Sequence, residues 1–198
     1  MMRIEDLQDA INKISNDDDQ SSFEKIYTAY YNKLFKLSLS IVKSGEVAEE
    51  VYDDVMMNIW EKRHQLTHIN NFTVYLYVSV KNASIRYLSR INKIVQVNID
   101  EVNIDIEDFS PSAHDQMISS EFSAKINRTI AQLNPQCKLV FKLVKEDGLK
   151  YKEVAEILNI SIKNVEYHMG NALKKISNAI SSEKKTIIRG SFKPILSN

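Results

Sequence analysis

The sequence predicts an all-α protein: two small helical modules joined by an acidic linker. Three observations carry this. Apolar residues recur at three- and four-residue spacing along most of the chain. Four glycines and three prolines in 198 residues are too few for a turn-rich β fold. Charge also changes sign in blocks. From Lys62 to Ile99 there are six basic residues and no acid, and from Ile94 to Glu121 there are seven acids and no Lys or Arg. From Lys125 onward bases outnumber acids 14 to 6. A formal net charge of zero hides this alternation, which suggests two nucleic-acid-facing modules with an acidic connector between them.

A hydrophobic content of 43% is enough to bury a core. Cys137 is the only cysteine, so no disulfide framework is possible, which fits a reducing cytosol. The opening "MMRIEDLQDAINKI" is amphipathic and carries acids, unlike a secretory signal. No apolar run approaches the roughly 20 residues that cross a bilayer. The expectation is a soluble cytoplasmic protein that needs no cofactor.

The elements follow in order. "NDDDQSS" offers several helix caps, of which Ser21 or Ser22 sits best. A helix then runs to Val42 with Phe23, Ile26, Tyr27, Tyr30, Leu34, Leu37 and Ile41 at helical spacing. After "KSGE" a second helix spans 47–63, its stripe Val51, Val55, Ile59 and Trp60. "QLTHINN" reads as a loop. A third helix spans 72–91 through Leu76, Val80, Ala83, Tyr87 and Leu88. The segment "VQVNIDEVNIDIEDFSPSAHD" alternates like a strand but has no partner, so it reads as an extended linker. Helical spacing resumes over 116–133. Asn134 caps a further helix with Pro135 in its first position, and that helix ends at the "EDG" turn. The resulting division is 1–94, a linker 95–115, a second module 116–181 and a basic tail 182–198.

The stretch "EVAEILNISIKNVEYHMGNAL" breaks a helix without proline or glycine. A helix-turn-helix needs a small residue on its first helix, a left-handed residue in the turn, and a compact apolar residue packing back from the second helix. Counted from Tyr151, Ala155, Asn159 and Val165 take the fifth, ninth and fifteenth places, where such a unit wants them. Asn is the next best left-handed residue after glycine. Ser161 then caps a helix able to enter a major groove. Val165, Met169, Leu173 and Ile176 would be its buried stripe. Lys163, Asn164, Tyr167, Asn171 and Lys174 would face outward, with Glu166 and His168 at the edges. Asn can pair with adenine, Lys with guanine or phosphate, and Glu with cytosine, while Lys174 and Lys175 suit phosphates.

Two helical modules in this order resemble the extracytoplasmic-function (ECF) sigma factors of the sigma-70 family. The match rests on "FEKIYTAYYNKLFKLSLSIVKSGEVAEEVYDDVMMNIWEKR", "FTVYLYVSVKNASIRYLSR" and "LNPQCKLVFKLVKEDGLKYKEVAEILNISIKNVEYHMGNALKKI". The resemblance implies a factor that binds core RNA polymerase and directs it to promoter DNA. The first module would be sigma domain 2, which reads and melts the −10 element, and the second would be sigma domain 4, which reads the −35 duplex through Lys163–Lys175. Asn71, Phe72, Tyr75, Lys81, Asn82, Arg86 and Arg90 would meet the −10 strand, with aromatic faces for unstacked bases and cations for phosphates. Tyr77 and Tyr87 could share that role, and core packing is the competing reading for Tyr75 and Tyr87. A flipped base would sit beside the loop at about 64–71. The second helix would dock on polymerase through Glu50, Asp53, Asp54, Met57 and Trp60. Asp53, Met56, Tyr75 and Lys150 depart from the family's usual Gln, Phe, Trp and Ser. Members are commonly held inactive by an anti-sigma partner.

The rival is a helix-turn-helix regulator that binds duplex DNA without polymerase. It would need a ligand or phosphoacceptor domain in front, normally with strands, and residues 1–94 show no such pattern. An enzyme is disfavoured: there is no Gly-rich phosphate loop and no nucleophile constellation, and His64 and His68 lack a third ligand.

Overall fold

The computed structural model describes residues 3–92 and 120–190. Every regular element among them is helical: α1 (Ile4–Asp17), α2 (Gln20–Val42), α3 (Gly45–Glu61), a 3-10 helix (Arg63–His68), α4 (Phe72–Asn92), α5 (Ser120–Ala131), α6 (Pro135–Lys145), α7 (Tyr151–Leu158) and α8 (Ile162–Gly190). The acidic linker 95–115 lies outside the described residues.

The first module is organised around α2. Its residues Ile26, Tyr30, Leu34, Leu37 and Ile41 are buried, and each successive pair is three or four positions apart, which gives one continuous stripe. Onto it pack Val51, Tyr52, Val55, Met56 and Ile59 of α3 and Leu76, Tyr77 and Val80 of α4. Two buried hydroxyl pairs fix the register of α2 on α4: Tyr30 with Thr73 at 2.7 Å and Ser38 with Ser84 at 2.9 Å. Both pairs advance together along the chain, so the two helices run in the same direction. Buried polar groups with partners specify a register in a way that leucines alone do not. α1 lays Ala10, Ile11 and Ile14 against α2 and the 3-10 helix.

Several ends differ from expectation. The cap of α2 is Asp19, whose carboxylate accepts from the Ser21 amide at 3.1 Å and the Ser22 hydroxyl at 2.6 Å. Ser21 and Ser22 are therefore the capped residues, not the cap. Ser44 starts α3 two residues earlier than expected. "RHQLTH" is a 3-10 turn, pinned because Leu66 is buried, and not an irregular loop. Asn134 caps α6 through the Cys137 amide at 2.7 Å, with Pro135 next, as expected. Gly148 closes the "EDG" turn at φ 77°, a conformation glycine adopts without strain. The backbone of α8 runs unbroken through 181 to Gly190, so the beginning of the basic tail is helical.

The second module packs α5, α6 and α7 around α8. Buried Leu139, Val140, Leu143, Leu149, Val154 and Ile157 belong to the same hydrophobic cluster as the core of the first module. α7 is the element that touches α4. The two modules are thus packed into one body.

Candidate nucleic-acid interface

The turn before α8 is built as its sequence requires. Asn159 is left-handed at φ 56°, and the Ile160 amide returns to the Ala155 carbonyl at 3.0 Å. The Ser161 hydroxyl accepts from the Asn164 amide at 3.1 Å, capping the helix for about 1 kcal/mol. Val165, Met169 and Ala172 are buried, and Ile176 is half-buried. Leu173 is 45% exposed, so Ala172 replaces it in the stripe. The helix rotation chooses that position, and it places the smaller residue where α8 meets Ile130, Leu133 and Cys137.

Lys163, Asn164, Glu166, Tyr167, Lys174 and Lys175 are exposed, with Tyr167 65% open to solvent. Positions 163, 167, 170 and 174 recur at three- and four-residue intervals, so they line the face opposite the core. Asn171 is half-buried beside it. His168 is not on this face: it is half-buried, with Nδ1 at 3.5 Å from the Cys137 sulfur. Burial raises the Cys137 pKa, which fits a small packed thiol.

On α4 the predicted residues separate into two groups. Asn71, Tyr75, Asn82 and Arg86 are exposed at spacings of four, seven and four, one side of the helix, and Arg90 is exposed nearby. Phe72 and Tyr77 are buried and cannot stack bases in this form. Lys81 is also buried, at 7% exposure, and burial lowers its pKa. It lies one turn beyond Tyr77, which faces the second module. Tyr87 is half-buried and lines a groove between α3 and α4. That groove has Glu50, Asp54 and Asn58 on one wall and Arg86 and Arg90 on the other, with Ile91 at its mouth.

The outer side of α3 presents Glu50, Asp53, Asp54 and Met57, the last 59% exposed. Trp60 is half-buried, its ring 5.0 Å from Phe23 with the Arg63 guanidinium 4.8 Å above it. Asp53 accepts from the Tyr27 hydroxyl at 2.6 Å, which pushes the Tyr27 pKa up to about 12. The turn that follows is held by α1: Arg63 pairs with Asp18, and His64 Nδ1 lies 2.8 Å from the Ser15 carbonyl. Gln65, Thr67, His68 and Asn70 remain exposed on it.

Sequence reasoning missed the junction between the modules. Lys33 donates to the Asp147 carbonyl at 2.9 Å, and the Asn71 amide donates to Glu153 at 2.9 Å. The Asp147 side chain is 4% exposed, and its Oδ2 has no hydrogen-bond partner. Burial pushes its pKa up, opposed by hydrogen bonding from Tyr77 and by the Lys33, Lys142 and Lys36 ammonium groups. An "EDG" turn announces no such role, because Tyr77, Lys33 and Lys36 lie 70 or more residues away and only Lys142 is near in sequence.

Among the described residues no group of three or more His, Cys, Asp or Glu is placed to hold a metal, and no helix is long and apolar enough to cross a membrane.

The family model described as Sigma-70 region 2 matches residues 26–94, and that described as Sigma-70, region 4 matches residues 123–176. The chain is 24% identical over 160 residues to the ECF RNA polymerase sigma factor SigM of Bacillus subtilis, covering 79% of this chain and 96% of that one. It is 24% identical over 171 residues to the ECF RNA polymerase sigma-E factor of Escherichia coli, covering 82% and 88%. Two solved structures share its fold. CnrH in complex with the cytosolic domain of CnrY superposes with a TM-score of 0.53 at 17% identity, over 89% of this chain and 98% of that one. The sigma factor RpoE with the anti-sigma factor NepR, from Bartonella quintana, gives 0.54 at 18% identity, over 80% and 96%.

Proposed function

The chain belongs to the sigma-70 family, in its ECF branch, and from that premise we propose that it binds core RNA polymerase, reads a −35 duplex with α8 and opens a −10 element with α4. It acts as a regulatory initiation factor in the cytoplasm and not as an enzyme.

One observation supports the division of labour above the others. α4 and α8 each present a polar, cationic and aromatic face to solvent, in two modules that share a core but expose these faces separately. Tyr75, Asn82 and Arg86 offer one ring, an amide edge and a cation, a set suited to a single strand with its bases unstacked, and Asn71 would join them once released from Glu153. Lys163, Tyr167 and Lys174 offer a helix face suited to duplex DNA. Glu50, Asp53, Asp54 and Met57 form an acidic rim around an apolar tip on α3, which borders the Arg86–Arg90 edge of α4 across the groove, and this is the polymerase contact we assign. We assign the same α3 surface to an anti-sigma partner; the sigma factor RpoE, which shares the fold, is solved in complex with the anti-sigma factor NepR.

The test is whether the full chain co-elutes with bacterial core RNA polymerase on a sizing column. Co-elution with promoter-dependent run-off transcription is the expected outcome. Tight duplex binding by the chain alone, without co-elution, would overturn it in favour of a stand-alone helix-turn-helix regulator.

A further inference from the structure

Gly170 occupies the middle of the outward face of α8. Position 170 is three residues from Tyr167 and four from Lys174 and Glu166, and all three are exposed. Glycine is a poor choice there. In the interior of a helix it loses more backbone freedom on folding than any other residue, and it packs nothing. A structure can require glycine for two internal reasons. The first is a left-handed backbone, and Gly170 is not among the positive-φ residues, of which Gly148 is the glycine. The second is a neighbour too close for a Cβ. A Cβ built at Gly170 meets nothing within 4 Å. Neither reason applies inside the molecule.

The remaining use of a glycine is the approach of a ligand to bare backbone. The side chains bracketing Gly170 are long: Lys163, Glu166, Tyr167 and Lys174 ring a spot that has no side chain of its own. Together they make a shallow saddle, a rim of donors, one acceptor and one aromatic ring around exposed main chain. We propose that Gly170 is the point of closest approach between α8 and the base-pair edges of the duplex, and that its missing side chain sets the depth at which the helix seats in the groove. Specificity follows from depth. With the backbone seated against the bases, Tyr167 and Lys163 reach base edges as well as phosphates; held further out, the lysines keep their phosphates and the base contacts are lost. This deepens the −35 reading given above and rests on it.

The experiment separates stability from binding, because the inference requires them to move in opposite directions. A pool of duplex DNA with a randomised window is enriched on the full chain assembled with core RNA polymerase. The parent and the series Gly170→Ala, Gly170→Ser and Gly170→Leu are then compared on the enriched duplex and in thermal unfolding. Gly170→Ala is expected to raise Tm by roughly 2–4 °C, since it removes a helix-interior glycine from a chain of this size. The same variant should lose about fivefold or more in affinity for the enriched duplex, and Gly170→Leu should lose more. The slope of log affinity against log salt should stay unchanged across the series, because the phosphate contacts are kept. A Gly170→Ala protein that is more stable and binds equally well would overturn the inference and leave the −35 reading standing. A parent that retains no duplex through this helix, shown by unchanged retention after Lys163→Ala, would overturn both.

Discussion

The Asn71 and Glu153 side chains hydrogen-bond to each other at 2.9 Å while each caps the start of its own helix. Asn71 Oδ1 accepts from the Val74 amide at 3.1 Å, and Glu153 Oε2 accepts from the Lys150 amide at 2.8 Å. The first turns of α4 and α7 are therefore tied to each other by groups that also hold those turns. Asn71→Asp keeps the cap acceptor and removes the amide donor, placing a carboxylate against Glu153. We expect the modules to separate without loss of helix: a larger radius of gyration by X-ray scattering with an unchanged far-ultraviolet circular dichroism spectrum. An unchanged radius would show that the tie contributes nothing to closure.

Asp147 should make closure sensitive to pH. Its pKa is raised in the folded state, chiefly by burial. A raised carboxyl favours the packed form while protonated, below its unfolded pKa of about 4, and that contribution is lost as pH rises through the folded value. Asp147→Asn removes the titration and the cost of a buried charge, of order 1–3 kcal/mol for an unsatisfied buried polar group. The variant should melt higher than the parent at pH 8, with the gap narrowing as pH falls toward 4. A gap that widens on acidification would mean that the neighbouring Lys33, Lys36 and Lys142 outweigh burial.

The exposed stripe of α4 predicts a separable defect. Arg86→Ala with Asn82→Ala should reduce strand opening at a promoter, read by permanganate reactivity of unpaired thymines, about tenfold or more. Closed-complex formation on the duplex should change little. Lys81→Ala, which removes a buried side chain, should instead lower Tm. Equal opening defects from Lys81→Ala at unchanged Tm would place that lysine on the strand after all.

Met57 gives the polymerase contact a direct test. Met57 is 59% exposed, so Met57→Glu leaves the core intact and stability should change by less than about 0.5 kcal/mol. Association with core polymerase should weaken at least tenfold, about 1.4 kcal/mol. Wild-type association by this variant would move the contact off α3.

Much of the helical frame was legible in the sequence, because each helix announces itself through its own spacing and caps. Asn134–Pro135, the left-handed Asn159 and the Ser161 cap are local signals, and the structure has them. Local signals also set the limits. Asp17, Asp18 and Asp19 are equally good caps on paper, and the bonds from the Ser21 amide and the Ser22 hydroxyl single out Asp19. Ala172 displaced Leu173 because a helix buries positions by angle, and hydrophobicity alone does not fix the angle. Lys81, Phe72 and Tyr77 looked like strand-binding groups because a cation and two rings carry no mark of which side of the helix the fold buries. Tyr75, Asn82 and Arg86, expected on the strand-facing side by their place in the family pattern, are exposed.

The packing of α7 on α4 can be read as a length. Helices pack about 8–10 Å apart, so through α7 the start of α8 lies within roughly 20 Å of α4. Elements centred at −10 and −35 are about 25 base pairs apart, or about 85 Å of duplex at 3.4 Å per pair. In this form the protein is shorter than the message it is proposed to read. The segment from 93 to 119 sets the other limit. At most about 3.4 Å per residue, it has a reach of roughly 90 Å, before the helices' own lengths are added. The tether is long enough, and the apolar core shared by the two modules, with the polar bonds at Asn71, Lys33 and Asp147, is what stands between the short ruler and the long one.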